Sequence, residues 1–191
     1  MNDMDFPIRK GQDGNYYLLD FEDTEREFKQ NVKAVCPEDL VAMANGSGGS
    51  ILIGVEEVRL DDGSKAGRVM GCPLTDELKL NINNKASSCL PAIAVDFEEH
   101  WAGGIPFVEI IIPEGADKPY CSASGCYRIR LDGSNRALDP PALVTLILER
   151  ESKRFLKRFR NATAELEKMI EKIADKIEQF KFQENDHGEQ D

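Results

Sequence analysis

An α+β domain, built as a mixed sheet with packed helices and followed by a long C-terminal amphipathic helix, is the fold the sequence predicts. Three observations lead to it. Short runs rich in Ile, Val and Leu recur between glycine-rich turns, and two of them are separated by a helix-like segment that opens on Thr75. After Asp139-Pro140-Pro141, a three- and four-residue apolar period continues to Phe182.

Each element follows from local chemistry. Residues 1–19 read as a polar lead-in with a short strand at Tyr16-Tyr17-Leu18-Leu19. The stretch 23–29 is extended or helical, and Pro37-Glu38-Asp39 marks a helix start. Leu40, Val41, Met43 and Ala44 fit the buried face of that helix, which the glycine-rich turn after Asn45 ends. Gly46, Gly48 and Gly49 tolerate backbone conformations closed to other residues, so this turn admits either close packing of another backbone or a ligand. Segments 51–55, 93–98 and 107–112 read as strands, the first ending in Glu56 and Glu57. Between the first two, the spacing predicts a helix over 75–89 with Thr75 as its cap. In Tyr127-Arg128-Ile129-Arg130-Leu131, apolar and cationic residues alternate, the period-two pattern of a strand with one wet face. Asp61-Asp62-Gly63-Ser64, Ala102-Gly103-Gly104 and Asp132-Gly133-Ser134-Asn135 are turns.

Leu156, Phe159, Thr163, Leu166, Ile170, Ile173, Ile177 and Phe180 fall at alternating steps of three and four, with Glu and Lys on the flanks. That is a heptad seam. It serves either an amphipathic helix folded back onto its own domain or an intermolecular coiled coil, and homo-oligomerisation through this helix is the expectation carried forward. The organisation expected is therefore a lead-in over 1–19, a domain over 20–150, a helical heptad segment over 151–182 and a disordered acidic tail over 183–191.

The formal charge of −11 argues against a uniformly basic nucleic-acid binder but leaves room for a local basic face. Five cysteines without a CxxC pair, and no apolar span of about 20 residues, point to a cytoplasmic protein with reduced thiols and no membrane segment. Neither usual phosphate fingerprint fits the glycine turn. It lacks a Lys-Ser/Thr ending, and it precedes a strand instead of following one.

Glu27-Phe28-Lys29, the block from Ala42 to Glu57, Asp117-Lys118-Pro119, and Gly125-Cys126-Tyr127-Arg128-Ile129-Arg130 followed by Gly133-Ser134-Asn135-Arg136 together resemble the Schlafen-type AlbA-like domain over about residues 20–150. That family is described as a DNA-binding or ATP-binding module of prokaryotes and includes RNA-cleaving Schlafen proteins. The resemblance implies an α+β fold and nucleic-acid binding, with Lys29, Lys33, Arg128, Arg130 and Arg136 as the matched cations. A second cationic cluster, Arg150, Lys153, Arg154, Lys157, Arg158 and Arg160, opens the long helix.

Two further activities are implied. In the nucleases three acids hold a divalent metal, Mg2+ or Mn2+, and by position these are Glu22, Glu27 and Glu57, or Glu56 in place of the last. Such a cation activates water and offsets charge on the scissile phosphate. The third residue departs from the family, which uses Asp there. An ATP site would instead use Asn45, Gly48, Gly49 and Lys118, with backbone amides holding phosphate oxygens. The alternatives to all of these are structural: acids as a solvated face, arginines paired with those acids, and a helix that acts only in assembly.

Overall fold

The computed structural model describes residues 6–19 and 25–186, and side chains up to residue 177. Among the described residues it is an α+β fold with three sheets and three α-helices. The chain divides into two compact units, Met1–Leu146 and Ile147–Asp191.

The first unit is organised around β4 (Gly48–Ile53), whose two faces are both buried. β4 pairs in parallel with β3 (Arg26–Lys29) and antiparallel with β8 (Ile105–Pro113), which pairs with the edge strand β7 (Asp96–Ala102). Successive side chains of a strand point to opposite faces, so Ile51 and Ile53 enter one core while Leu52 enters another. The first core is closed by α1 (Pro37–Asn45) and α2 (Asp76–Ser87), through Leu40, Val41, Met43, Leu78 and Ile82. On the opposite face, Phe28, Leu52 and Phe107 meet Leu18, Val55 and Val69 of a second sheet. That sheet has the order β1 (Ile8–Lys10), β2 (Tyr16–Leu18), β6 (Lys65–Val69), β5 (Val55–Arg59).

Local chemistry fixes the helix ends as expected. Pro37 opens α1, and the Cys36 amide donates to Asp39 Oδ2 at 2.9 Å. At α2, the Thr75 hydroxyl accepts from the Leu78 amide at 3.2 Å. The glycine turn proves shorter than its sequence suggests, because Gly48 and Gly49 already belong to β4. The strand expected over 51–55 is instead two strands, since Gly54 at φ 85° breaks the chain between β4 and β5. Both glycines of β4 are required by close approach: a Cβ on Gly49 would lie 2.2 Å from the Glu25 carbonyl oxygen, and one on Gly48 would lie 2.6 Å from the Glu114 nitrogen.

A two-stranded sheet, β9 (Arg128–Leu131) with β10 (Ser134–Ala137), packs against α1. Its polarity is the reverse of the expected wet cationic face. Arg130 is 2% exposed, whereas Leu131 is 44% exposed. All five cysteines are unpaired, and burial pushes the Cys36 and Cys89 thiols up to about 11.

The third helix, α3, runs Pro140–Asp186, and its part beyond residue 146 forms the second unit. Along it the seam residues Leu156, Phe159, Leu166, Ile170, Ile173 and Ile177 are each more than half exposed. The Phe180 side chain is not described, α3 runs through residue 186 into the first part of the tail expected over 183–191, and residues 187–191 lie outside the described residues. Among the described residues, no helix is long and apolar enough to cross a membrane.

Candidate functional site

The inverted face of β9 leads to the centre of the first unit. Arg130 reaches inward and donates from Nη1 to Glu27 Oε2 at 2.7 Å and to Asn135 Oδ1 at 3.2 Å, and from Nη2 to the Arg26 carbonyl at 2.8 Å. The other Glu27 oxygen lies 2.5 Å from Lys29 Nζ, which stands 3.7 Å from Asp39 Oδ2. Asn135 closes the circuit by donating to Asp39 Oδ1 at 2.8 Å. Two acids and two cations therefore neutralise one another between β3, α1, β9 and β10. Burial works to lower the Lys29 pKa, but the hydrogen bond to Glu27 and the charge of Asp39 outweigh it and raise it.

Asn45, at the end of α1, is spent in a similar way. Its amide donates to the Tyr120 carbonyl at 2.9 Å and the Arg128 carbonyl at 2.8 Å, and its oxygen accepts from the Tyr120 amide at 2.7 Å. Lys118 Nζ donates to the Gly46 carbonyl and to Glu114 Oε1. Hence all the sequence blocks singled out above meet here and bond to one another.

This geometry bears directly on the candidate residues. Arg130 is a buried structural arginine and cannot meet a phosphate without breaking the network. Lys29 is tied to two acids, Arg128 is half-buried, and Lys33 and Arg136 are exposed. For the ATP set, Asn45 and Lys118 have internal partners, and the Cα atoms of Gly48 and Gly49 face neighbouring backbone.

The acids are likewise engaged. Glu27 holds Arg130 and Lys29, and Glu57 stands 2.7 Å from Lys65. Glu56 pairs with Arg68 and accepts from Gln30 at 2.7 Å. Glu22 lies outside the described residues. Counter-charges from the protein thus already pair with the two described members of the set. Among the described residues, a group of three His, Cys, Asp or Glu side chains with ligand atoms close enough for one ion is Glu98, His100 and Glu109, on β7 and β8.

Sequence reasoning missed Asp39, Asn135 and this last cluster. Asp39 was legible only as a helix-start acid, and Asn135 only as a turn residue. Glu98 and His100 did carry a signal, since residues two apart on a strand share a face.

Among the described residues, two cationic surfaces stand apart from this network. One is a cleft of about 880 Å3 on the sheet of β1, β2, β6 and β5, where Arg9, Lys10, Arg59 and Arg68 are nearly balanced by Asp13, Asp61 and Asp62. The other is the start of the second unit. Over 150–160 stand six cations against Glu151 alone, a net charge of about +5 in a chain of −11. Arg150 lies 3.0 Å and Arg154 3.6 Å from Glu151. Lys153, Lys157, Arg158 and Arg160 have no ion-pair partner among the described residues. At about 100° per residue, the six cations occupy an arc of about 160° centred opposite the heptad seam.

A family model described as Schlafen, AlbA_2 matches residues 22–139. Among solved structures, the chain is similar to the DIP2311 protein from Corynebacterium diphtheriae at 20% identity and TM-score 0.43, over 61% of this chain and 22% of that one. It is also similar to the N-terminal domain of a RecG-related protein from Nitrosomonas europaea at 24% identity and TM-score 0.45, over 61% and 84% of the two chains. The chain thus corresponds to about a fifth of the Corynebacterium protein's length. No curated protein matches it.

Proposed function

The chain belongs to the Schlafen AlbA_2 family, and from that premise we propose that it is a cytoplasmic nucleic-acid-binding protein whose phosphate contacts come from the 150–160 face of α3. The observation that carries this reading is the concentration of Lys and Arg on one side of a helix in an otherwise acidic chain, four of them without an ion-pair partner among the described residues. Such a face attracts the phosphate backbone, while negative charge elsewhere limits non-specific attachment. Lys33 and Arg136 are exposed on the family domain and offer additional contacts.

Self-association belongs to the same reading. The seam presents a continuous apolar stripe opposite the cations, so joining seams from several copies buries the stripe and leaves every basic face outward. Each added copy then raises avidity on one nucleic-acid strand through effective concentration. The occupant proposed for the seam is the same helix of another copy, because the heptad period is the one that identical helices satisfy mutually.

The test is fluorescence anisotropy of labelled single-stranded RNA and duplex DNA with the full chain over a salt series. Replacing Lys157 and Arg158 by Ala should reduce the magnitude of the log–log salt slope by about 1.8 for duplex DNA, roughly 0.9 per lost phosphate contact. An unchanged slope and affinity overturns the assignment. Running the same samples with Mn2+ and with EDTA examines the nuclease alternative, and Mn2+-dependent cleavage that survives the double substitution would replace binding by catalysis as the activity. Binding is the reading favoured over cleavage because Glu27 and Glu57 are committed to protein cations.

A further inference from the structure

We infer that Glu98, His100 and Glu109 form a binding site for a first-row divalent cation of the zinc type, separate from the proposed phosphate-binding face. Glu98 on β7 lies directly opposite Glu109 on β8, and His100 lies opposite Phe107. Because residues two apart share a face, the imidazole is delivered beside both carboxylates. His100 Nε2 is 2.9 Å from Glu109 Oε2 and 3.9 Å from Glu98 Oε2, and all three ligand atoms lie within 4.8 Å of one another. A cation bound at about 2.0–2.2 Å holds its ligands roughly 3 to 4.4 Å apart, so only small side-chain movements are needed.

Two other features favour an ion at this place. Like charges directly opposite one another on paired strands are destabilising, and a divalent cation converts that cost into attraction. The imidazole is also already oriented, since Phe6 packs edge-on against it at 4.9 Å and Phe107 lies 5.3 Å from it. His100 and Glu109 side chains are 12% and 14% exposed, whereas Glu98 is 56% exposed. The cluster is therefore closed on the protein side and open to water at Glu98, which leaves room for a solvent ligand.

One imidazole and two carboxylates suit zinc, cobalt or manganese better than the all-oxygen shells of magnesium or calcium. The ion would clamp β7, an edge strand, to β8. It requires no residue of the α3 cationic face, so nucleic-acid binding and cation binding stand or fall separately.

Cobalt(II) added to the chelator-treated full chain tests this, because its visible bands report the ligand set and the five thiols would announce themselves by a sulfur charge-transfer band. One equivalent should bind with nitrogen and oxygen ligation only, and excess metal should raise Tm. Glu98→Gln, a change at an exposed position, should weaken binding at least about tenfold, and His100→Gln should abolish the spectrum. Absence of saturable binding, a thiolate band, or equal affinity in wild type and E98Q would overturn the site. So would a spectrum retained in H100Q.

Discussion

Replacing Arg130 by Met separates a structural from a phosphate-contacting role for this arginine. Its guanidinium is 2% exposed and makes bonds at 2.7 Å to Glu27, 2.8 Å to the Arg26 carbonyl and 3.2 Å to Asn135. Methionine roughly preserves the volume of the stem but supplies none of these donors. Breaking a buried pair by removing one partner costs about 3–5 kcal/mol, chiefly because the remaining charge is left uncompensated. Here Glu27 keeps Lys29 at 2.5 Å, which offsets part of that cost. The expected loss is therefore near the lower end, about 3 kcal/mol, with bonds to the charged group contributing roughly 1.5–3 of it. Urea unfolding followed by circular dichroism and by the fluorescence of Trp101, the single tryptophan, measures it. Adding Glu27→Gln should cost less than the sum of the two single changes by about 1 kcal/mol or more, since the two side chains are in contact. A loss below about 1 kcal/mol, accompanied by a tenfold drop in nucleic-acid affinity, would refute the structural assignment.

Two further outcomes follow from packing. Gly49→Ala should destabilise the first unit by more than about 2 kcal/mol in urea, because its Cβ would lie 2.2 Å from the Glu25 carbonyl at a φ of 145°. Gly63→Ala, where φ is also positive at 83° but nothing lies within 4 Å, is the control for backbone strain alone, and equal losses at the two positions would show that close packing is not the reason for Gly49. On α3, Ile170→Asp should convert an assembly into monomers in sedimentation of the full chain while leaving the urea transition of the first unit in place. The stripe is wider than a strict two-in-seven seam, since Phe155, Ala162 and Met169 extend it on one side, so more than two helices per assembly are expected. A monomeric wild type at high concentration would end the self-association reading.

What could be read from sequence was what neighbouring residues decide. Thr75 caps its own helix, Pro37 opens its own, and the Val108, Ile110 and Ile112 alternation of β8 needs only a period of two. The segments missed as strands are ones whose partners are distant. β6, Lys-Ala-Gly-Arg-Val, has little apolar character and a central glycine, yet it is held between β2 and β5. Its Gly67 is needed because a Cβ there would come within 2.7 Å of Val55 and 2.9 Å of Phe28. β3 was ambiguous for the same reason, being a four-residue strand whose pairing with β4 is parallel and nonlocal.

The orientation of β9 shows where local pattern stops being informative about function. Alternating Arg and aliphatic residues predict two faces, but burial goes to whichever set finds compensation. Glu27 and Asn135 supply that compensation to Arg130 from other strands, so the charged side chain goes inward and Leu131 outward. The same reasoning applies to the matched blocks as a group. Residues that recur together in a motif can do so because they bond to one another, and here Glu27, Asn45, Lys118, Arg130 and Asn135 all spend their polar groups internally. These bonds form a lock that holds the first unit together. Lys153, Lys157, Arg158 and Arg160, which have no ion-pair partner among the described residues, stand beyond the matched span of 22–139. Nucleic-acid affinity should accordingly follow the helix substitutions and be insensitive to any change in the lock that leaves the fold intact. If conservative changes within the lock alter affinity while the helix changes do not, the phosphate-binding surface belongs to the family domain after all.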